Sequence, residues 1–522
     1  MKPEARNPRS ERKQKSDRRI GLARAALFGF RHSDFFRISS FGFRISVLAL
    51  LVGCKVGPDY KRPPATTIPT AYTGATNVVS TDSGATNVWK VAQPQAQLPK
   101  GNWWETFGDA ELNDLERQAS ATNQQLKVAV GRLAEARAQM DVTRAGLFPN
   151  VSLSGSYTRQ RTSANTPSGT TGTAIGGATF NDFYVPLSLG YEVDLWGRVR
   201  RSVESSRAQA QASADDLETI KLMIEAEVAV DYFTLRALDT QRGVLNSSIQ
   251  VFSKSLQLTR NLRAGGVVSD LDVAQAQTVL KTTQAQLPAV TLQRAQFEHA
   301  LALLAGQPAS TFHVSERPLN TAPPSIPPGL PSELLERRLD ISAAERRMAS
   351  ANASIGVAKA AFFPTIQLNG LAGLESLNAG TIFNASSRLW AVGPSVTLPI
   401  FEGGRLHANL RLASATYDEM VASYRQSVLT AFSEVEDNLA AQTLLANQYA
   451  AESDALVAAR KQLEIVNNQY SDGLITYLEV ATAENTALNV EFSATQLRGQ
   501  QLVAAVTLVK ALGGGWQPTT TQ

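Results

Sequence analysis

Glu402-Gly403-Gly404-Arg405 opens, and Tyr470-Ser471-Asp472-Gly473 closes, a stretch of 66 residues, Arg405–Tyr470, that holds neither glycine nor proline. It is rich in Ala, Gln, Glu and Leu, which favour the helix because they lose little side-chain freedom in it. At 1.5 Å per residue such a helix is a rod of about 100 Å. Helices of globular domains average ~11–12 residues, so this length predicts a coiled, elongated, mainly α architecture.

The rod occurs twice. Leu195-Trp196-Gly197-Arg198 matches the Gly-Arg that opens the second rod at an offset of 207 residues. Gly266 after Arg263-Ala264-Gly265 matches Gly473, and Gly306 after Leu303-Leu304-Ala305 matches Gly513, both again at 207. Leu147-Phe148-Pro149 pairs with Phe362-Phe363-Pro364 at 215, so an indel of 8 separates the halves there. An internal duplication follows. Each half is predicted to run helix, strand, strand, long helix, turn, helix. The first rod is Arg198–Arg263, and the returning helices are Leu271–Ala305 and Tyr477–Leu512. The helices ahead of the strands are Leu112–Ala145 and Ser332–Ala361. These shorter helices are about half a rod long, so two stacked end to end match one rod.

Four strands per chain are expected. Phe183, Val185, Leu187, Leu189, Tyr191 and Val193 alternate with Tyr184, Pro186, Ser188, Gly190 and Glu192. Val151, Leu153 and Tyr157 alternate with serines and Thr158, Ile366 and Leu368 with Thr365 and Gln367, and Trp390, Val392 and Val396 with Ala391, Gly393 and Ser395. Period-two alternation gives one apolar and one polar face. It suits a half-buried soluble sheet and a lipid-facing, water-lined barrel equally. Arg161–Asn181 and Glu375–Arg388, rich in Ser, Thr, Gly and Asn, are expected to be surface loops.

Cys54 is the only cysteine. The apolar run Val47–Val52 before it is too short to span a bilayer, which needs ~20 residues, and it ends in Gly53 as a secretion signal ends at its cut site. Leu51-Val52-Gly53-Cys54 therefore reads as a lipobox, with Cys54 the acylated first residue of the mature chain. The leader carries more polar residues ahead of its apolar run than a signal needs.

Val56-Gly57-Pro58-Asp59-Tyr60 followed by Pro63 resembles the mature N-terminus of the TolC-like outer-membrane factors of RND efflux systems, and Trp103-Trp104-Glu105-Thr106-Phe107-Gly108-Asp109 with Leu112 also resembles that family. The resemblance runs through the duplication. It implies a small transmembrane β-barrel continuous with an α-barrel of long helical hairpins, built as a homotrimer of twelve strands. The implied function is a passive exit duct, joined by a periplasmic adaptor to an inner-membrane RND pump. It also implies a lipoprotein bearing palmitate at Cys54, held in outer-membrane lipid and extending into the periplasm; Lys55, where an Asp would retain it in the inner membrane, agrees. The expected organisation is a leader at 1–53, a lipid-anchored tether and equatorial segment at 54–110, and a first repeat at 111–306. An equatorial linker at 307–335, a second repeat at 336–513 and a tail at 514–522 follow.

The leader carries 12 Lys+Arg against 4 Asp+Glu, which leaves 38 against 42 from Cys54 onward. The basic pI thus belongs to the leader, and the mature totals give a nucleic-acid footprint no support. His32, His299, His313 and His407 have no metal-ligand spacing. No nucleophile elbow, phosphate loop or His-Glu-x-x-His occurs. The chain is therefore not expected to be an enzyme, and no cofactor or metal is expected. Two other ducts or envelope roles compete. A type I protein-secretion duct shares the architecture. A periplasmic coiled-coil adaptor lipoprotein would carry one hairpin, where this chain has two hairpins and two strand pairs.

The turns at Gly265-Gly266 and Asp472-Gly473 are expected to form the periplasmic tip that meets the adaptor. Asp272 and Glu479 each follow the turn glycine by six residues. Channels resembling TolC often carry an acid there, near the tip aperture, and some add a second acid three residues later and a basic residue two after the glycine; in its second half this chain has Thr482 and Ile475 at those two extra places. In a trimer the two acids would make a ring of six carboxylates, which favours cations. Ser269…Asp272 and Thr476…Glu479 also fit capping boxes, and both readings stand.

Overall fold

In a computed structural model the chain is described over residues 55–63, 72, 101–163, 177, 179–326 and 331–515. Cys54, the leader and most of the 64–98 tether lie outside the described residues. The rods are Arg198–Ala264 and Arg405–Ser471, 67 residues each. They return as Asp270–Leu304 and Tyr477–Ala511, 35 residues each. All four of these boundaries repeat at 207. Pro288 lies inside the first return helix without ending it.

The helices ahead of the strands depart from expectation, because each is broken. The first is Ala110–Thr122 and Gln124–Ala145; the second is Pro331–Arg337 and Leu339–Ala360. The longer pieces, Gln124–Ala145 and Leu339–Ala360, are called the lead helices below. The interrupting residues, Asn123 and Arg338, are equivalents at 215, with ψ of 127° and 122°. A helix end leaves its last carbonyls without partners, and the break meets that need. Asn123 Nδ2 donates to the Leu304 carbonyl at 2.9 Å, and Arg338 Nη1 to the Ala511 carbonyl at 3.0 Å. Leu304 and Ala511 are themselves equivalents, so each break residue caps the end of its own half's return helix.

Among the described residues the sheet has five strands: β1 (Asn150–Leu153), β2 (Ser156–Arg161), β3 (Thr179–Val193), β4 (Thr365–Ser376) and β5 (Arg388–Thr397). Its order is β1-β3-β4-β5, with β2 also on β3 and all pairs antiparallel. β1 and β2 keep one register along β3, from Asn150 opposite Gly190 to Arg161 opposite Thr179. They are one lane, interrupted opposite Pro186. Ser154 donates to the Pro186 carbonyl at 3.1 Å, but proline has no N–H to return the bond. The five segments thus fill four lanes.

Register then decides which residues share a face. Val151 opposes Leu189, Leu189 opposes Gly370 and Gly370 opposes Val392; Leu153, Leu187, Ala372 and Trp390 form the next row. The apolar set of every strand falls on one side of the sheet, and Leu153, Leu187, Trp390 and Val392 there are exposed.

The first rod lies at the centre of the described helices. It packs against its own lead and return helices and also against the second half's lead and return helices, whereas the second rod packs against its own two. One apolar cluster joins Trp103, Trp104, Phe107, Tyr232 and Phe233 to the second half. Another runs towards the turns through Leu245, Phe252, Tyr470 and Tyr477. Among the described residues no helix is long and apolar enough to cross a membrane.

Candidate functional site

The two hairpin turns share one geometry. Val267 N–H reaches the Leu262 carbonyl at 2.9 Å and Gly266 N–H the Arg263 carbonyl at 2.9 Å; Leu474 reaches Gln469 at 2.9 Å and Gly473 reaches Tyr470 at 3.0 Å. These are Schellman closures, which require a left-handed residue. Gly266 and Gly473 supply it at φ +76° and +75°, while Gly265 and Asp472 keep right-handed helical backbone. A Cβ on either left-handed glycine would meet nothing within 4 Å, so the demand is on the backbone alone.

Asp272 caps its helix. The Ser269 N–H and hydroxyl donate to its Oδ2 at 2.8 and 2.7 Å, and the Asp272 N–H returns to Ser269 Oγ at 3.4 Å. In the second half the Thr476 hydroxyl donates to the Glu479 carboxylate, but Thr476 takes no bond from the backbone, so that box is half made. The hydroxyl bonds foremost hold both carboxyls below the usual range. Asp272 is also lowered by the Tyr477 backbone N–H, which brings it to the start of the second return helix, two residues from Glu479.

One pair near the turns gave no signal in the sequence. Arg263 and Asp270 form an exposed ion pair at 2.8 Å. Their equivalents at 207 are Tyr470 and Tyr477, buried edge to face with centroids 5.6 Å apart. Tyr470 donates to Thr259 Oγ1 at 3.1 Å and Tyr477 to Glu484 Oε2 at 2.9 Å. The same position is thus a solvated pair on one hairpin and a packed seam on the other. Only the offset between repeats, applied side chain by side chain, would have found it.

Residues 55–63 are strapped to the body at the other end of the rods. Val56 N–H bonds the Trp196 carbonyl at 3.1 Å. Trp196 stacks on Phe363 at 4.7 Å and donates to the Pro364 carbonyl at 2.8 Å, so the landmark tryptophan ties the two halves together. The fully buried Arg201 donates to the carbonyls of Val56 and Gly57 at 3.2 Å each, and pairs with Asp59 at 3.0 Å and Glu204 at 3.1 Å. Gly57 is required by space, since a Cβ there would lie 2.5 Å from Gly356 Cα. Tyr60 donates to Glu345 Oε1 at 3.2 Å; its hydroxyl is held well above the usual range by burial and that carboxylate. Arg62 Nη2 donates to Tyr424 at 3.0 Å. Val56-Gly57-Pro58-Asp59-Tyr60 is therefore a docking sequence, and Arg201, Glu345 and Tyr424 are its unforeseen receptors.

Where the inter-repeat segment crosses the first rod, an ion network lies beside the apolar packing of Val314 and Ile326. Asp239 takes Arg236 at 2.7 Å and Arg294 at 2.6 Å, and Arg294 Nη2 donates to the Val314 carbonyl at 2.7 Å. Arg317 joins Asp109 at 2.7 Å and Glu111 at 2.9 Å. Nearby, Glu116 is fully buried and neither carboxylate oxygen has a partner among the described residues; burial, then the Glu225 charge, push its carboxyl up to about 10. Among the described residues no group of acids, histidines or cysteines could hold a metal.

The duplicated rods, matched turns and strand register meet in one comparison. The family model for outer membrane efflux proteins matches residues 115–307 and 330–514, the two repeats. The chain belongs to the outer membrane efflux protein family. Among its relatives, the toluene efflux pump outer membrane protein TtgF of Pseudomonas putida is 33% identical over 92% of this chain and 98% of that protein. Outer membrane protein OprJ of Pseudomonas aeruginosa is 32% identical over 92% and 97%. The solved outer-membrane channel OprN superposes with a TM-score of 0.79 at 31% identity, covering 89% of this chain and 100% of that one. The Campylobacter jejuni CmeC outer membrane channel gives 0.79 at 27% over 89% and 96%. For a member of this family, the break residues and the strap are the parts that composition and periodicity did not disclose.

Proposed function

We propose that this chain is the outer-membrane exit duct of a tripartite efflux system. It takes its cargo from an inner-membrane RND pump through a periplasmic adaptor and conducts it passively outward. The observation that carries the reading is the sheet. Its four lanes gather their apolar side chains on one exposed face, and its order leaves β1/β2 at one edge and β5 at the other. Strand edges left open in lipid would strand backbone groups without partners, and four lanes are too few to close a barrel, which needs about eight. Copies must therefore complete it. Three is the number that the family resemblance implies, giving twelve strands above a tube of hairpins.

Cys54 is the lipid anchor in this reading. The strap supports it: Lys55 Cα lies 3.3 Å from where a Cβ on Gly197 would stand. Lys55 thus lies beside the strand-to-rod junction. Gly265, Gly266, Asp472 and Gly473 form the tip that meets the adaptor, and Asp272 and Glu479 line its aperture while capping their helices.

Native mass spectrometry in detergent, with the mass of the mature N-terminus read in the same preparation, tests the proposal. A single closed trimer with an acylated Cys54 is expected. A monodisperse monomer that stays soluble without detergent would end the duct reading, and an unmodified N-terminal residue would end the anchor.

A further inference from the structure

A cavity of ≈ 480 Å³ opens where the first rod meets both return helices. The rod lines it with Thr234, Ala237, Leu238 and Gln241, whose i, i+3, i+4, i+7 spacing is a single helix face. Arg236 and Asp239, which belong to the ion network, fall on the opposite side of the rod by the 3.6-residue turn. Phe297 of the first return helix and Phe492 of the second are the apolar walls. Gln241 is only 7% exposed, and its amide has no hydrogen-bond partner among the described residues, although buried polar groups ordinarily have one. A Cβ on Gly499 would stand 2.7 Å from the Ala237 Cβ, so that lining position takes no side chain. Among the described residues no charged group lines the cavity. Arg294 and Arg498, each next to a lining position, are engaged with Asp239 at 2.6 Å and over the Tyr449 ring at 5.5 Å.

The cavity is not a by-product of the repeated fold. At the offset of 207, Phe297 and Phe492 correspond to Ala504 and Ala285, and Ala237 and Gly499 to Leu444 and Leu292. The aromatic walls and the small residues between them therefore belong to this one crossing, while Gln241 and Gln293 recur as Gln448 and Gln500. We propose that the cavity binds an uncharged, amphipathic small molecule, its aromatic body against Phe297 and Phe492 and its hydrogen-bonding groups on the Gln241 amide. The volume lies within the ~300–1,000 Å³ of small-molecule sites, which combine apolar walls with a few placed polar groups. Phenyl walls favour a ring system, by stacking or edge contact. A primary amide both donates and accepts, so a carbonyl, an amide or a hydroxyl on the ligand can satisfy it. A charged ligand would leave water without a counter-charge to meet it, which disfavours it strongly. A molecule held there touches the first rod and both return helices at once, and so fastens the two hairpins where they cross.

The full-length chain in detergent is irradiated with para-benzoylbenzamide, an uncharged photoreactive ketone with two rings and one primary amide, and the labelled peptides are mapped by mass spectrometry. Insertion is expected in the segments that hold Gln241, Phe297 and Phe492, and an excess of benzanilide, which has two rings and an amide but no photoreactive ketone, should suppress it. Gln241→Leu removes the amide at nearly constant volume. Labelling there should fall roughly fivefold or more, as the loss of one or two hydrogen bonds requires. Gln496 is an exposed residue of the lining, so Gln496→Trp leaves the packed interior alone and fills the mouth; it too should abolish the labelling. Insertion spread over the apolar sheet face, insertion that benzanilide does not suppress, or labelling undiminished in both variants would mean partition into apolar surface and overturns the site. The cavity lies within one chain, so its fate is separate from that of the duct. A monomer that labels there keeps the site and loses the duct, and a trimer that does not label loses the site and keeps the duct.

Discussion

Gly306 stands so close to Thr122 that a Cβ on it would lie 2.8 Å from the Thr122 carbonyl oxygen, and the equivalent Gly513 would bring one to 3.1 Å from the Arg337 carbonyl oxygen. Each half therefore closes its return helix against the break just ahead of its lead helix. Both glycines have positive φ, +63° and +88°, where a Cβ also costs backbone strain of about 1–3 kcal/mol. Gly306→Ala and Gly513→Ala carry the strain and the collision together. Gly266→Ala and Gly473→Ala carry the strain alone, having open space around them. The apparent melting temperature in detergent should fall further for the first pair. Equal losses would show that the carbonyl contact contributes nothing.

Glu116 is expected to destabilise the fold increasingly as pH rises. Its carboxyl is pushed up to about 10 from 4.5, so the folded state keeps a proton that the unfolded chain releases above its ordinary value. The unfolded state then binds fewer protons, and stability falls with pH across that interval. Glu116→Gln removes the titration at nearly constant shape. The variant should melt higher than the parent at pH 8, and the difference should vanish near pH 4. A gain that does not depend on pH would place its origin in packing rather than charge.

The long elements were legible because helix propensity accumulates over 66 residues and glycine punctuates it. The rod and return-helix boundaries fall within a residue of expectation. The sheet faces were legible because period two survives in each strand separately. What escaped the sequence depends on contacts across the chain. The breaks at Asn123 and Arg338 were hidden because they are set by carbonyls 181 and 173 residues away, and because asparagine and arginine share no propensity signal. Pro186 stood in the alternation without disclosing that it would split the facing lane. The acids at the turns fitted a capping pattern, and the structure makes that box whole for Asp272 and half for Glu479. Arg201 looked like any rod arginine; its role comes from a segment over 140 residues earlier.

Arg201→Met should free the strap without unfolding the body. The guanidinium holds two carbonyls and two carboxylates. Once it is gone, Glu204 keeps Lys55 at 2.6 Å and Asp59 is already exposed, so little charge is left stranded. Breaking a buried pair costs about 3–5 kcal/mol when its partner is left buried, and here the loss should stay below that range. Hydrogen exchange should quicken at Val56 while the Tyr232 region stays protected. Unchanged protection at Val56 would assign the hold to Tyr60 and Arg62 instead.

The turn acids separate two roles that share one geometry. As caps, Asp272 and Glu479 each stabilise the positive end of a helix dipole, and hydroxyl bonds lower both carboxyls. A carboxyl lowered in the fold adds stability above its unfolded value and loses it as pH falls through the folded one, so both caps should weaken only below about pH 4. As an aperture ring, the same charges would select cations at every pH above that. The double variant Asp272→Asn, Glu479→Gln keeps the shape and removes the charge. In planar bilayers it should pass ions with weaker cation selectivity and altered conductance at pH 7, where the caps of the parent are intact. If selectivity and conductance are unchanged and only the melting temperature drops, the carboxylates act on their own helices and the aperture is lined by other groups.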